Sequence, residues 1–242
     1  MQQRIAIASG KGGVGKSTIS VCLALEMAAR GHRVLLVDCD IGLRSLDLIL
    51  GVDEHVLFSW ADVALGRCTL KQAIMLFADI HLLCAPLAAE PDLKEDMLQN
   101  LMQNCGEYDI VIIDTPAGLG FGFRVALMAA TRCMIVSTAD PVCVRSVAAT
   151  SARVRQLGVE DVRLVINRFD RKKAVQGQLM MIDTVIDQTE TQLIGIVPQQ
   201  SMLFAKTANA QPLGAHLVRQ AVAQIADRLD GANVPLVIPQ AQ

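Results

Sequence analysis

Aromatic residues are scarce in this chain, 3% of 242 positions, with one tryptophan and one tyrosine. A platform on which successive bases stack has little to be built from. Net charge is scarce too: 22 basic against 24 acidic residues leave −2, so no overall pull toward nucleic acid or an anionic surface is expected. No stretch reaches the ~18 consecutive apolar residues of a membrane span. No charged-then-apolar leader precedes the first strand-like run, so the chain reads as soluble and without a signal peptide. The seven cysteines (22, 39, 68, 84, 105, 133 and 143) are odd in number and never stand as Cys-x-x-Cys. Neither a disulfide framework nor a zinc site follows from such spacing. Several lie in apolar runs such as LLVDCD and HLLCAP and read as small hydrophobes in a reducing, cytoplasmic setting. Linkers rich in Gly, Ser or Pro, repeats and low-complexity tracts are also missing.

What remains is an apolar chain, 52% hydrophobic, with a regular alternation. Residues 4–9, 33–38, 80–85, 109–114, 133–138, 162–167 and 192–197 are short apolar runs bounded by turn residues. They are nearly continuous rather than alternating, which predicts strands covered on both faces. Helical spacing occupies 16–30, 92–104, 121–131, 142–157 and 214–229. Strand and helix in alternation predict an α/β domain of three layers, a mostly parallel central sheet flanked by helices. The stretch 46–76 predicts two or three short helices, with Gly51 and Gly66 as stops. Residues 1–231 read as one domain, and 232–242, with two prolines and no charge, as an extended tail docked on the surface.

The chemistry begins at SGKGGVGKST, residues 9–18. Gly10 to Ser17 matches G-x-x-x-x-G-K-[ST] directly after a strand and before a helix, which is the context a phosphate loop requires. Four fixed positions would match by chance in roughly one such chain in a hundred. Gly10, Gly12, Gly13 and Gly15 let the backbone turn tightly, so that its amides, with those of Val14 and Thr18, face phosphate oxygens at a helix N-terminus. Lys16 is placed to reach the β- and γ-phosphates of ATP, and the Ser17 hydroxyl to ligate Mg2+. Two strands end in carboxylates: Asp114 closes DIVIID, and Asp38 and Asp40 close the second strand. Strand C-terminal ends are where an open α/β sheet places its ligands.

A phosphate loop needs one lysine, and this one has a second, Lys11. The loop K-G-G-V-G-K-S is the deviant Walker A motif and resembles that of the MinD/ParA family of P-loop ATPases. The stretch DCDIGLRSLDLILG (38–51) resembles the MinD branch throughout except for Ser45. IIDTPAG (112–118), VINRFD (165–170) and IVPQQ (196–200) are similar as well, so the resemblance runs from residue 4 to about 229. It implies ATP and ADP with Mg2+ as ligands, and an ATP-dependent homodimer in which Lys11 reaches the partner's phosphates as a catalytic cation alongside Lys16. It also implies that Asp40 orients the attacking water and that Asp38, Asp114 and Ser17 serve the metal. Asn167, Arg168 and Pro198 would surround the base. The cellular role implied is septum site determination in bacterial cell division, with activator and effector partners of the MinE and MinC type.

Ser45 is one departure from the family, and others lie further along the chain. After Arg228 the tail carries no cation, so the basic amphipathic helix that anchors such ATPases is not expected here. Membrane contact at the inner face of the cell membrane would need another route. The segment after Arg145 reads Ser146-Val147-Ala148 where the family is acidic, and Gln199-Gln200 follows Pro198. The cluster NRFDRKK reads as a solvated basic loop, and nucleic acid is not an expected partner. Two other functions stay open at this point: a flagellar-number or DNA-partition ATPase, and a metabolic P-loop enzyme, for which no substrate-pocket residues are evident.

Overall fold

The computed structural model describes residues 2–200 and 216–238. Eight strands form one sheet: β1 (Gln3–Ala8), β2 (Val34–Asp38), β3 (Ile74–Phe77), β4 (Ile80–Leu83), β5 (Ile110–Asp114), β6 (Arg132–Ser137), β7 (Asp161–Phe169) and β8 (Gln192–Pro198). Their spatial order is β3-β4-β2-β5-β1-β6-β7-β8, and only the β3–β4 pair is antiparallel. Strands β2 and β5 are buried at every residue, as their unbroken apolar runs require.

Helices cover both faces. On one side lie α1 (Lys16–Ala29), α2 (Leu46–Leu50) and α10 (His216–Leu229), packed over Ile5, Ile7, Leu36, Ile112 and Met134. On the other, α3 (Trp60–Ala64), α5 (Met97–Met102), α6 (Phe121–Ala129), α7 (Pro141–Gln156) and α9 (Ile182–Thr189) pack over Ala6, Leu35, Val111, Ile113 and Ile135. Residues of one strand alternate between the two cores, as the pleat demands. The mostly parallel sheet and the three layers are those expected of the sequence.

Three local expectations are corrected. The 46–76 stretch holds α2, a 3-10 turn at Asp53–His55, α3 and α4 (Leu70–Ala73), but it ends in a strand, β3. Its hairpin turn is Ala78-Asp79, with Ala78 at φ 48°. A two-residue turn of that kind is usually announced by Asn-Gly or Asp-Gly, and here that signal is missing. The basic cluster is not a loop: Arg168 ends within β7, and Arg171–Lys173 form α8 (Arg171–Val175), capped by Asp170. The helix expected at 92–104 is confined to six residues, 97–102. Gly51 and Gly66, at φ 70° and 72°, do stop their helices, since the left-handed conformation carries no Cβ clash for glycine. Residues 214–215 of the last expected helix lie outside the described residues.

Candidate phosphate-loop site

The C-terminal ends of β1, β2 and β5 bring the motifs together. Between β1 and α1 the chain turns through Gly13 and Gly15, at φ 75° and 96°. Gly15 is the N-cap of α1, and no residue of the helix's own first turn is acidic, so the turn itself brings no negative charge to the positive helix end. Lys16 is only 8% exposed, whereas Lys11 stands on the outer rim, exposed. The backbone of Lys11 is held by the Ser9 hydroxyl, which donates to its carbonyl at 2.7 Å. Val14 is buried, and Thr18 lies half-buried in the first turn of α1.

Behind the loop the carboxylates converge. Asp38 and Asp114 are partners in the β2–β5 register, and both are fully buried. Ser17 Oγ donates to Asp114 Oδ2 at 2.6 Å, and Ser20 Oγ to Oδ1 at 2.7 Å. The Ser45 hydroxyl lies 3.1 Å from that of Ser17. Asp38 closes its own loop: Oδ1 accepts from Asp40 N at 2.7 Å and Oδ2 from Leu46 N at 3.0 Å. Burial, then the charge of Asp114, pushes the Asp38 carboxyl up to about 7, against the two backbone N–H groups. Burial pushes Asp114 up to about 6, against the Ser17 and Ser20 hydroxyls and Lys16. Half-buried Asp40 is raised by burial and pulled back by Lys16. Two adjoining buried carboxylates with a hydroxyl at 2.6 Å form a hard-oxygen donor set with an excess of negative charge, which suits Mg2+. The glycine loop suits phosphates, so the residues present fit Mg-nucleotide.

Asn167 and Arg168 also reach the loop. Asn167 Nδ2 donates to Val14 O at 2.8 Å, and its Oδ1 accepts from Arg168 N at 2.9 Å. Arg168, held at φ 54°, donates from Nη1 to Gly13 O at 3.0 Å. A methyl group at Gly15 would meet Asn167 Nδ2 at 2.4 Å, so the loop and this strand end touch. Half of the Asn167 amide's hydrogen-bonding capacity is thus spent on the chain, leaving one N–H and one lone pair for a base. Pro198 ends β8, buried, as the register partner of Phe169, the residue that follows Arg168.

Several contacts have no counterpart in the sequence reading. Ser20 stands three residues after Ser17, so helical spacing alone puts both hydroxyls on one face. Trp60 carries no local signal, yet its Nε1 donates to Asp38 O at 3.0 Å and its backbone N to Cys84 O at 2.9 Å. It ties the ends of β2 and β4 together. A Cβ on Gly10 would lie 2.6 Å from Ser146 Oγ and 2.7 Å from Thr150 Oγ1, so α7 rests directly against the loop.

A comparison with protein families matches residues 1–230 to the family described as ParA: NUBPL iron-transfer P-loop NTPase. The septum site-determining protein MinD of Bacillus subtilis is 34% identical over 255 aligned positions, covering 100% of this chain and 94% of that one. Among solved structures, the MinC:MinD cell division protein complex of Aquifex aeolicus aligns with a TM-score of 0.87 at 28% identity, over 97% of this chain and 98% of that one. MinD of Pyrococcus horikoshii, complexed with Mg-ADP, aligns at 0.81 and 25% identity, over 95% and 96%. A plasmid partition protein of Borrelia burgdorferi at 21% identity shares the fold. With the phosphate loop, the paired strand-end carboxylates and a family match over residues 1–230, the chain belongs to the ParA/MinD family of P-loop NTPases.

Proposed function

We propose that the chain is a MinD-like, ATP-dependent switch that regulates division-site placement, dimerising on ATP and dissolving on hydrolysis. It is an ATPase of its family, with ATP or ADP and Mg2+ as its ligands. The observation that carries the switch is the opposite placement of the two loop lysines: Lys16 8% exposed beside the carboxylates, Lys11 on the exposed rim. A lysine facing outward from a phosphate loop is placed to serve phosphates bound by a second copy, as an arginine finger does.

In this reading the loop amides from Gly10 to Thr18 hold the phosphates and Lys16 balances charge on the β- and γ-groups. Ser17, Asp114 and Asp38 hold the metal, directly or through its water. Bound Mg2+ supplies charge neutralisation across the phosphates. Asp40 orients the attacking water; Asn167 and Arg168 brace the loop and, with Pro198, border the base. Lys11 supplies the cation in trans. MinC- and MinE-type proteins are the expected partners, and contact with the membrane would be peripheral. No described helix is long and apolar enough to cross a membrane.

Iron transfer, which appears in the family description, finds no support in the cysteines: none is paired as Cys-x-x-Cys and five of the seven are buried. A partition role would need a basic face and binding that weakens steeply with salt.

Light scattering during size-exclusion chromatography of Asp40→Ala, with Mg-ADP and with Mg-ATP, tests the switch. A dimer with ATP alone supports it. A monomer with both nucleotides removes it and brings the metabolic alternative forward.

A further inference from the structure

The end of the sheet opposite the phosphate loop gathers arginines. Arg132 opens β6 and is the register partner of Asp161 in β7; Arg163 follows two residues along, on the same face of the sheet. The carboxylate of Asp161 is divided between them: Oδ2 accepts from Arg132 Nε and Oδ1 from Arg163 Nε, both at 2.6 Å. A guanidinium has five N–H donors, and among the described residues these two arginines spend only Nε on protein acceptors. Arg228 of α10, the helix that covers this face, lines the same cavity, but its nitrogens are pinned by the carbonyls of Ile194 (2.8 Å), Pro235 (2.7 Å) and Val234 (3.2 Å). It contributes charge rather than donors.

These three arginines line a cavity of about 370 Å3, walled by 231–234 and Leu236 of the C-terminal segment. Among the described residues no carboxylate lines it; Asp161 is hydrogen-bonded to Arg132 and Arg163, and the charge of Asp227 acts on Arg228. Arg132 and Arg163 are only 28% and 29% exposed, so water and salt screen them less than they screen surface charges. A planar guanidinium fork presents paired N–H groups that match the oxygens of phosphate.

We propose that this cavity binds a phosphate group. Its volume lies near the lower end of the ~300–1,000 Å3 usual for small-ligand pockets, and no aromatic ring lines it, which fits a phosphate on a small polar body rather than a nucleotide. Two sources share that chemistry: a soluble phosphate, and the headgroup of an anionic lipid. Leu236 and Val237, 41% and 53% exposed, stand at the cavity's rim and next to it, where they would meet a bilayer. The site is independent of the switch reading and lies at the other end of the strands.

The test begins with inorganic phosphate titrated by calorimetry into protein saturated with Mg-ADP, so that the phosphate loop is filled. Arg163→Gln should weaken binding about tenfold or more, as expected for a charged hydrogen bond removed. Asp161→Asn, which removes the competing carboxylate, should strengthen it; a variant that was merely damaged would not bind more tightly. Unchanged Mg-ADP affinity checks that each variant is folded. In the second arm, the same proteins are sedimented with phosphatidylglycerol or phosphatidylcholine vesicles, with Leu236→Ser added. Arginine-dependent phosphate binding supports the site with a soluble source. Arginine-dependent binding to phosphatidylglycerol alone, weakened by Leu236→Ser, supports it with a lipid source. Binding to neither, or binding that Arg163→Gln and Asp161→Asn leave unchanged, overturns it.

Discussion

Asn167 is the residue on which the loop's shape depends most visibly. It is 3% exposed, and its amide joins the carbonyl of Val14 to the backbone N–H of Arg168. Asn167→Ala would leave a loop carbonyl unpaired, which costs about 1–3 kcal/mol when the group is buried. Urea unfolding should show that loss, and ADP titration should show weakened binding; unchanged values for both would mean the clamp is idle. Lys11 makes a contrasting prediction. Its side chain is exposed, so Lys11→Ala should leave stability and ADP affinity intact while ATP-dependent dimerisation and hydrolysis fall, read by light scattering and phosphate release. A variant that still dimerised and hydrolysed ATP normally would remove the trans role.

Between elements, α7 lies close against the loop. Gly10→Ala would place its Cβ 2.7 Å from Ser146 Cβ, too close without a shift of the helix or the loop. Overpacking of this kind costs about 1–3 kcal/mol, and Ser146→Gly should restore part of it in thermal unfolding. At the far end of the same sheet, Asp161 joins β6 to β7. Burial raises its carboxyl, but the Arg163 hydrogen bond and the Arg132 charge outweigh burial and hold it below the usual carboxylate range. A depressed folded value means that its stabilisation is present above the unfolded pKa of about 3.9 and is lost as pH falls through the folded value. Asp161→Asn should therefore cost about 0.5–1 kcal/mol, with a difference from the parent that is constant from pH 8 to 5 and shrinks only below about 4.

For the molecule as a whole, thiols report the integrity of the three layers. Burial pushes Cys22 and Cys84 up to about 12 and Cys105 up to about 11, and Cys39 and Cys133 are fully buried. In native protein only Cys68 and Cys143 should react promptly with a thiol reagent, and all seven after unfolding in urea. Prompt reaction of all seven in native protein would show that one layer opens readily.

Much of the phosphate site was legible in order along the chain, because a phosphate loop is a local device: glycines at set intervals, a lysine and a hydroxyl at the start of a helix. The parallel sheet was legible for a related reason, since strands buried on both faces must be continuously apolar. The β3 hairpin was hidden, because its turn is Ala78-Asp79 and carries no glycine. What only the tertiary structure decided are contacts between residues far apart in sequence. Trp60 on Asp38 spans 22 residues, Asn167 on Val14 spans 153, and the three arginines of one cavity come from β6, β7 and α10. Periodicity and motif report what a residue does for its own turn or strand. Which two strand ends meet is set by the order of strands in the sheet, and that order arises only when both cores are packed at once.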